Sequence, residues 1–227
     1  MINYIIIGIM LIILIAVFRQ FRPANTQNIT DNVYAIRCGI VNFYALRTDA
    51  GVVLFDTGIN PIMAKRGLRK VGIDSASVTH IFLTHTDYDH AGGLAAFPEA
   101  KCFISGEEEQ MINGSTARRG FIYNKRIFSY GTVNDGESII AGGVEIKCFI
   151  TPGHTPGSAS YLIGNRFLAS GDLLRVSRKG AVLPFLRLMN MNHRQNVQSV
   201  DAMGTILKSS AYILTGHTGL YKTSSTT

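Results

Sequence analysis

The sequence predicts an α/β fold, and two observations carry that prediction. Apolar or alternating runs rich in β-branched and aromatic residues recur along the chain, several closing in turns of small residues. Helical stretches separate some of them, at about 60–72, 106–112 and 194–209. A chain of 227 residues is long enough for one substantial core, or at most a small pair of domains. With 46% hydrophobic and 16% charged residues it is ordered rather than disordered.

The formal charge of +7 points to an acidic partner, such as an anionic small-molecule substrate or a lipid surface. No Lys/Arg-rich run resembles a nucleic-acid arm, so no nucleic-acid partner is expected. Cys38, Cys102 and Cys148 are odd in number and far apart. They form neither a disulfide framework nor a CxxC site, and they read as buried thiols in a reducing compartment.

Tyr4 to Phe18 is apolar throughout. With the first three residues it is about long enough to span a bilayer, and Arg19 and Arg22 follow it. A signal peptide would want a basic start and a small-x-small cleavage site. No Lys or Arg precedes the run, and Ala16-Val17-Phe18 is a poor site. Residues 1–22 are therefore expected to be a transmembrane anchor with a basic flank, making the lipid bilayer a partner. Positive charge after the span puts the rest in the cytoplasm, as a single-pass membrane protein. Residues 23–31 read as a polar linker, and 32–227 as the folded domain.

In that domain, strands are expected at 33–36, 42–46 and 51–55, the last continuously apolar and so buried. Asn60-Pro61 opens a basic amphipathic helix that closes near Gly72. Strands come next at 78–83 and 101–105, then a helix at 106–112 whose three glutamates suit its N-terminal dipole. Residues 113–131 alternate Arg118, Arg119, Lys125 and Arg126 with Phe121, Tyr123, Phe128 and Tyr130. This stretch is either a solvated loop or a rim that handles an anionic or amphiphilic substrate. Beyond it come a strand at 144–150, a hairpin of 161–163 and 167–169 around Gly164-Asn165, and a strand at 212–214.

Strand, small-residue turn, then His or Asp is a unit that occurs at 56, 85, 154, 172 and 217. The densest case is Leu83 to Gly93, where His85, Asp87, Asp89 and His90 fall within six positions. Imidazole nitrogen and carboxylate oxygen are the ligand types of zinc and related divalent metals. Four of the six histidines, His85, His90, His154 and His217, sit in such turns, a position that structural histidines have no reason to prefer.

The marks Phe55-Asp56-Thr57-Gly58, Thr84-His85-Thr86-Asp87-Tyr88-Asp89-His90-Ala91-Gly92-Gly93, Pro152-Gly153-His154-Thr155-Pro156-Gly157, Ser170-Gly171-Asp172 and Thr215-Gly216-His217 appear in this order. Together, over about residues 30–219, they resemble the metallo-β-lactamase fold superfamily. The resemblance implies a four-layer αββα sandwich, here preceded by the N-terminal membrane helix, with two metals at one edge. His85, Asp87 and His154 would hold the first metal; Asp89, His90 and His217 the second; Asp172 would bridge them. Asp56 would orient ligands from behind. Asp89 and Asp172 would be the catalytic carboxylates, and His80 and His193 match no motif and read as structural.

Asp87 departs from the family pattern, which has a third His there. A carboxylate makes the first site harder, so iron or manganese stand beside zinc, the first expectation. The implied activity is metal-dependent hydrolysis of an ester, thioester or lactone by a bridging hydroxide, on an anionic or lipid-derived substrate. A phosphodiesterase of the same fold and a non-catalytic metal-binding membrane protein are the alternatives.

Overall fold

The computed structural model describes residues 15–30 and 32–223, together with positions 4, 8 and 12. Two sheets face each other. The first runs in chain order: β1 (Gln27–Thr30), β2 (Val33–Cys38), β3 (Val41–Thr48), β4 (Gly51–Phe55), β5 (Val78–Phe82), β6 (Lys101–Ser105) and β7 (Gly131–Val133). It is antiparallel through β4 and parallel from β4 to β7. The second contains β8 (Ser138–Ala141), β9 (Val144–Ile150), β10 (Ala159–Ile163) and β11 (Phe167–Gly171). A separate hairpin, β12 (Leu174–Val176) and β13 (Val182–Pro184), precedes its last two strands, β14 (Tyr212–Thr215) and β15 (Gly219–Lys222). The order is β15-β14-β11-β10-β9-β8, and only β11 and β14 pair in parallel.

Strand alternation divides the apolar residues into three layers. Val33, Ala35, Tyr44, Val53, Phe55 and Phe82 point between the sheets and meet Cys148, Tyr161, Ile163 and Leu214 of the second sheet. The opposite faces of β2 and β4, with Ile36 and Leu54, pack under the first helix through Ala64 and Leu68. Leu162, Leu168 and Ile213 do the same on the outer face of the second sheet, under Met203. Strands buried on both faces explain the continuously apolar β4. The result is the expected αββα order of layers. All three cysteines are free and buried, and burial pushes the Cys102 and Cys148 thiols up to about 12.

Within the described residues after the first sheet begins, the helices are α1 (Pro61–Lys70), α2 (Tyr88–Ala91), α3 (Glu109–Ile112), α4 (His193–Ala202) and α5 (Gly204–Ser209). In α1, Asn60 Oδ1 accepts from the Met63 amide at 2.9 Å, Pro61 opens the first turn, and Arg69 and Lys70 sit at the negative end of the dipole. The expected helix over 106–112 divides into a 3-10 turn and α3. The expected helix over 194–209 breaks at Met203 before Gly204, where a poor helix former meets a buried side chain.

Two expectations about the N-terminal region need correction. The stretch 23–31 is not simply a linker, because Gln27–Thr30 adds an edge strand to β2. It reads as polar because Ile29 alone of that strand packs on the core. The expectation of a single-pass membrane protein is overturned: among the described residues, no helix is long and apolar enough to cross a membrane. Most of the apolar run lies outside the described residues, and 15–18 are helical. Beyond that turn, Phe21 and Arg22 pack on the domain. The Arg22 amide donates to His217 O at 2.7 Å, and the Phe21 ring stacks on the His217 imidazole with centroids 4.2 Å apart.

Candidate metal centre

The carboxyl ends of β4, β5, β9, β11 and β14 come to one edge of the sandwich, and each turn there delivers one or more of the expected side chains. Backbone bonds tie the turns together. The Thr57 amide donates to His90 O at 2.7 Å, Ala159 to Thr84 O at 2.7 Å, and Asn42 to Gly216 O at 2.7 Å. Two glycines are required by close approach. A Cβ on Gly216 would stand 2.5 Å from Asp172 Oδ1, and one on Gly157 would stand 2.0 Å from the Glu108 amide.

His85, Asp87 and His154 offer ligand atoms within 4.8 Å of one another, and so do Asp89, His90 and His217. Asp172 lies between the two sets. Its Oδ2 is 3.3 Å from His154 Nε2 and 3.3 Å from His217 Nε2, while Oδ1 is 3.6 Å from His90 Nε2. Asp56 stands behind the cluster and joins no donor set. It accepts from the Thr84 amide and hydroxyl and from His90 Nδ1, at 2.7, 2.9 and 2.8 Å. Its backbone is left-handed, with φ 63°, which a short polar side chain bonded to its neighbours tolerates. His80 lies apart, against Phe103. His193 is outside the cluster but accepts from Asn190 Nδ2 at 3.0 Å, and Asn190 in turn touches His154.

The hydrogen-bond pattern assigns one tautomer to every cluster histidine in its neutral form. Thr84 gives its hydroxyl proton to Asp56, so it accepts from His85 Nδ1. His90 Nδ1 donates to Asp56, His154 Nδ1 to Asn190 Oδ1 and His217 Nδ1 to Ile40 O. All four Nε2 atoms therefore face the centre with their lone pairs. His85 Nε2, His90 Nε2 and Asp172 Oδ1 are buried without any hydrogen-bond partner, although buried polar atoms are normally paired. The four imidazoles are at most 2% exposed.

The electrostatics fit a cation as well. Burial disfavours the His90 cation, yet Asp56, Asp172 and Asp89 push this group up to about 9. His217 is held well above its usual range, against its burial, by Asp172 and Asp89. Burial would raise the Asp89 carboxyl, but His90 and His217 bring it down to about 2. Asp172, also buried, is lowered by His217, His90 and His154. Asp87 is held well below the carboxylate range, despite burial, by the neighbouring His154 and His85 imidazoles and by Arg118. Burial lowers His154, with Asp172 and Asp87 opposing. Three ionised carboxylates and Asp56, facing four Nε2 atoms of which those of His85 and His90 have no hydrogen-bond partner, make a pocket that divalent cations satisfy.

Glu108, Asn190 and Arg118 belong to the centre without having been singled out as site residues. Glu108 is fully buried. Its Oε1 accepts from the amide and hydroxyl of Thr86, and its Oε2 from the Thr155 hydroxyl and Gly157 amide. It thus joins the turn bearing His85 and Asp87 to the turn bearing His154. Three consecutive glutamates hid it, since only the fold decides which one turns inward. Arg118 comes from the basic loop and reaches Asp87 and His154.

The sequence profile of the metallo-β-lactamase superfamily matches residues 36–217, and the chain belongs to that superfamily. A probable metallo-hydrolase of Mycobacterium tuberculosis is 27% identical over 190 residues, covering 62% of this chain and 61% of that protein. The chain thus spans less than two thirds of that relative. A probable metallo-hydrolase of Bacillus subtilis is 28% identical over 190 residues, covering 78% and 84%. The human hydroxyacylglutathione hydrolase-like protein is 28% identical over 156 residues, covering 65% of this chain and 47% of that one. Among solved structures, a Cronobacter sakazakii metallo-β-lactamase with a HARLDQ motif superposes with a TM-score of 0.67 at 23% identity, covering 88% of this chain and 81% of that one. That likeness shows the fold.

Proposed function

We propose that this metallohydrolase uses a binuclear centre to cleave an ester-type bond, thioesters and lactones included, in an anionic small molecule. The observation that carries the reading is the convergence of four Nε2 lone pairs and three ionised carboxylates beside an arginine-lined cleft. His85, Asp87 and His154 would hold one divalent ion and Asp89, His90 and His217 the other, with Asp172 between them. Bound there, such ions acidify water and polarise a carbonyl.

The protein's own groups do the rest. Asp56 fixes the His90 ring and Asn190 the His154 ring. Asp89 has its side chain 28% exposed, the most open of the three carboxylates, which supports it as the acceptor of a hydrogen bond from the attacking water. Phe21 and Phe185 stack on His217 and keep that side dry. Next to Asp87 a cleft of about 580 Å³ is lined by Arg118, Arg119 and Arg187 together with Leu188, Met189 and Met191. That lining suits a carboxylate on an aliphatic stem. Relatives named hydroxyacylglutathione hydrolase in Synechococcus and Idiomarina loihiensis, each 32% identical over a part of the chain, support a thioester of a carboxylate-bearing thiol.

The test is a panel of matched anionic and neutral thioesters, lactones and phosphodiesters, run with metal added back after chelation. The anionic thioester should be turned over best, chelation should abolish turnover, and Arg187→Ala should raise KM for the anionic member alone. Preference for phosphodiesters would replace the ester reading, and metal-independent turnover would end it.

Zinc is the proposed metal, with iron or manganese drawn by the Asp87 carboxylate. Asp87→His removes one negative charge from the first set, so its water should ionise at lower pH. The acidic limb of the pH–rate profile should move down and metal preference should shift towards zinc. Asp87→Ala should empty the first set alone by elemental analysis. Full metal content with normal rate in Asp87→Ala would show that Asp87 holds nothing.

A further inference from the structure

Arg118 lies in the basic loop after α3, but its guanidinium is not spread on the surface. Nε donates to Asp87 Oδ1 at 2.9 Å, Nη2 lies 2.5 Å from Asp87 Oδ2 and 2.7 Å from His154 Nε2, and Nη1 donates to Met189 O at 2.8 Å. Two of these partners, Asp87 and His154, belong to the first donor set. His154 Nδ1 is committed as a donor to Asn190, so Nε2 has a single in-plane lone pair, and Arg118 is using it. A metal ion needs that same lone pair. The two cannot share it.

The second donor set differs. Among the described residues no Lys or Arg side chain touches the ligand atoms of Asp89, His90 or His217, whose contacts are with one another and with Asp172. We infer that Arg118 is a built-in competitor for the first metal, so that the His85–Asp87–His154 set fills after the Asp89–His90–His217 set and more weakly. This rests on the metal-centre reading above. A guanidinium bridging carboxylate and imidazole is held by charge-assisted bonds, which a metal must break before it enters. The displaced side chain has somewhere to go, because Arg118 already borders the 580 Å³ cleft.

The test is a Co²⁺ titration of the chelator-treated full chain, followed by visible absorption and calorimetry. The unmodified protein should bind two equivalents in two steps, the second at least about tenfold weaker. Arg118→Met should tighten the weaker step about tenfold and leave the stronger one alone. Arg118→Lys keeps the charge but cannot fork between two partners, and should move the weaker step in the same direction. Arg119→Ala, whose guanidinium donates to Leu188 O, should keep the two steps unchanged. Superimposable titrations of the unmodified, Met and Lys proteins would overturn the competition. Absence of Co²⁺ binding in all of them would overturn the metal-centre reading and the competition with it.

Discussion

Asp172→Ala should lose most of both metal ions and lower kcat/KM by roughly a thousandfold or more, beyond the 10–100-fold that loss of a merely orienting residue costs. The expectation follows from position. One oxygen of Asp172 is 3.3 Å from an imidazole of each donor set, and the other is 3.6 Å from His90. Among the described residues, Asp87 pairs with imidazoles of the first set and Asp89 with imidazoles of the second, and neither carboxylate reaches across. Asp172→Asn keeps the shape and removes the charge, which separates packing from electrostatics. It should fold like the parent yet hold metal poorly. Elemental analysis, steady-state rates and thermal melting on the three proteins make the test. Two retained metal ions in Asp172→Ala would remove Asp172 from the bridging position.

The turns at 56, 85, 154, 172 and 217 were legible because chemistry dictates them: each places His or Asp after a strand, and few alternative roles fit that repetition. Strands β4, β5, β6 and β9 were legible for a related reason, since each carries apolar β formers that meet the core. Other parts depend on tertiary context. Strand β1 has a polar text because it is an edge, and edges do not write an apolar signature. The apolar text before residue 19 suggested a membrane span, yet hydropathy does not reveal that the next residues, Phe21 and Arg22, run against His217. Arg118 reads as one more cation in a basic loop until the fold sets it 31 positions back along the chain, on Asp87. Glu108 is hidden differently: Glu107 is exposed beside it, and one residue of register separates a solvated carboxylate from a buried one.

That buried carboxylate carries the second large effect. Glu108→Ala should destabilise the fold by about 3 kcal/mol, lowering Tm by roughly 6–12 °C. Four donors, two from Thr86 and one each from Thr155 and Gly157, would lose their acceptor in a space closed to water. The turns bearing His85 and His154 would also lose one of their ties, so affinity for the first metal should fall about 10–100-fold, while the Asp89–His90–His217 set is spared. The Gln variant supplies the sign. Burial raises the Glu108 carboxyl above its usual value, with His85 and the Thr155 and Thr86 hydrogen bonds opposing. A carboxyl raised on folding contributes stability that is present below its unfolded pKa and is lost as pH rises through its folded one. Glutamine carries no such dependence. The penalty of Glu108→Gln, measured by denaturant melts on metal-free protein, should therefore be largest in acid and shrink as the pH passes above the carboxylate range. A penalty that grows with pH would mean that the ionised carboxylate is the favoured form, held by its four donors more strongly than burial opposes it.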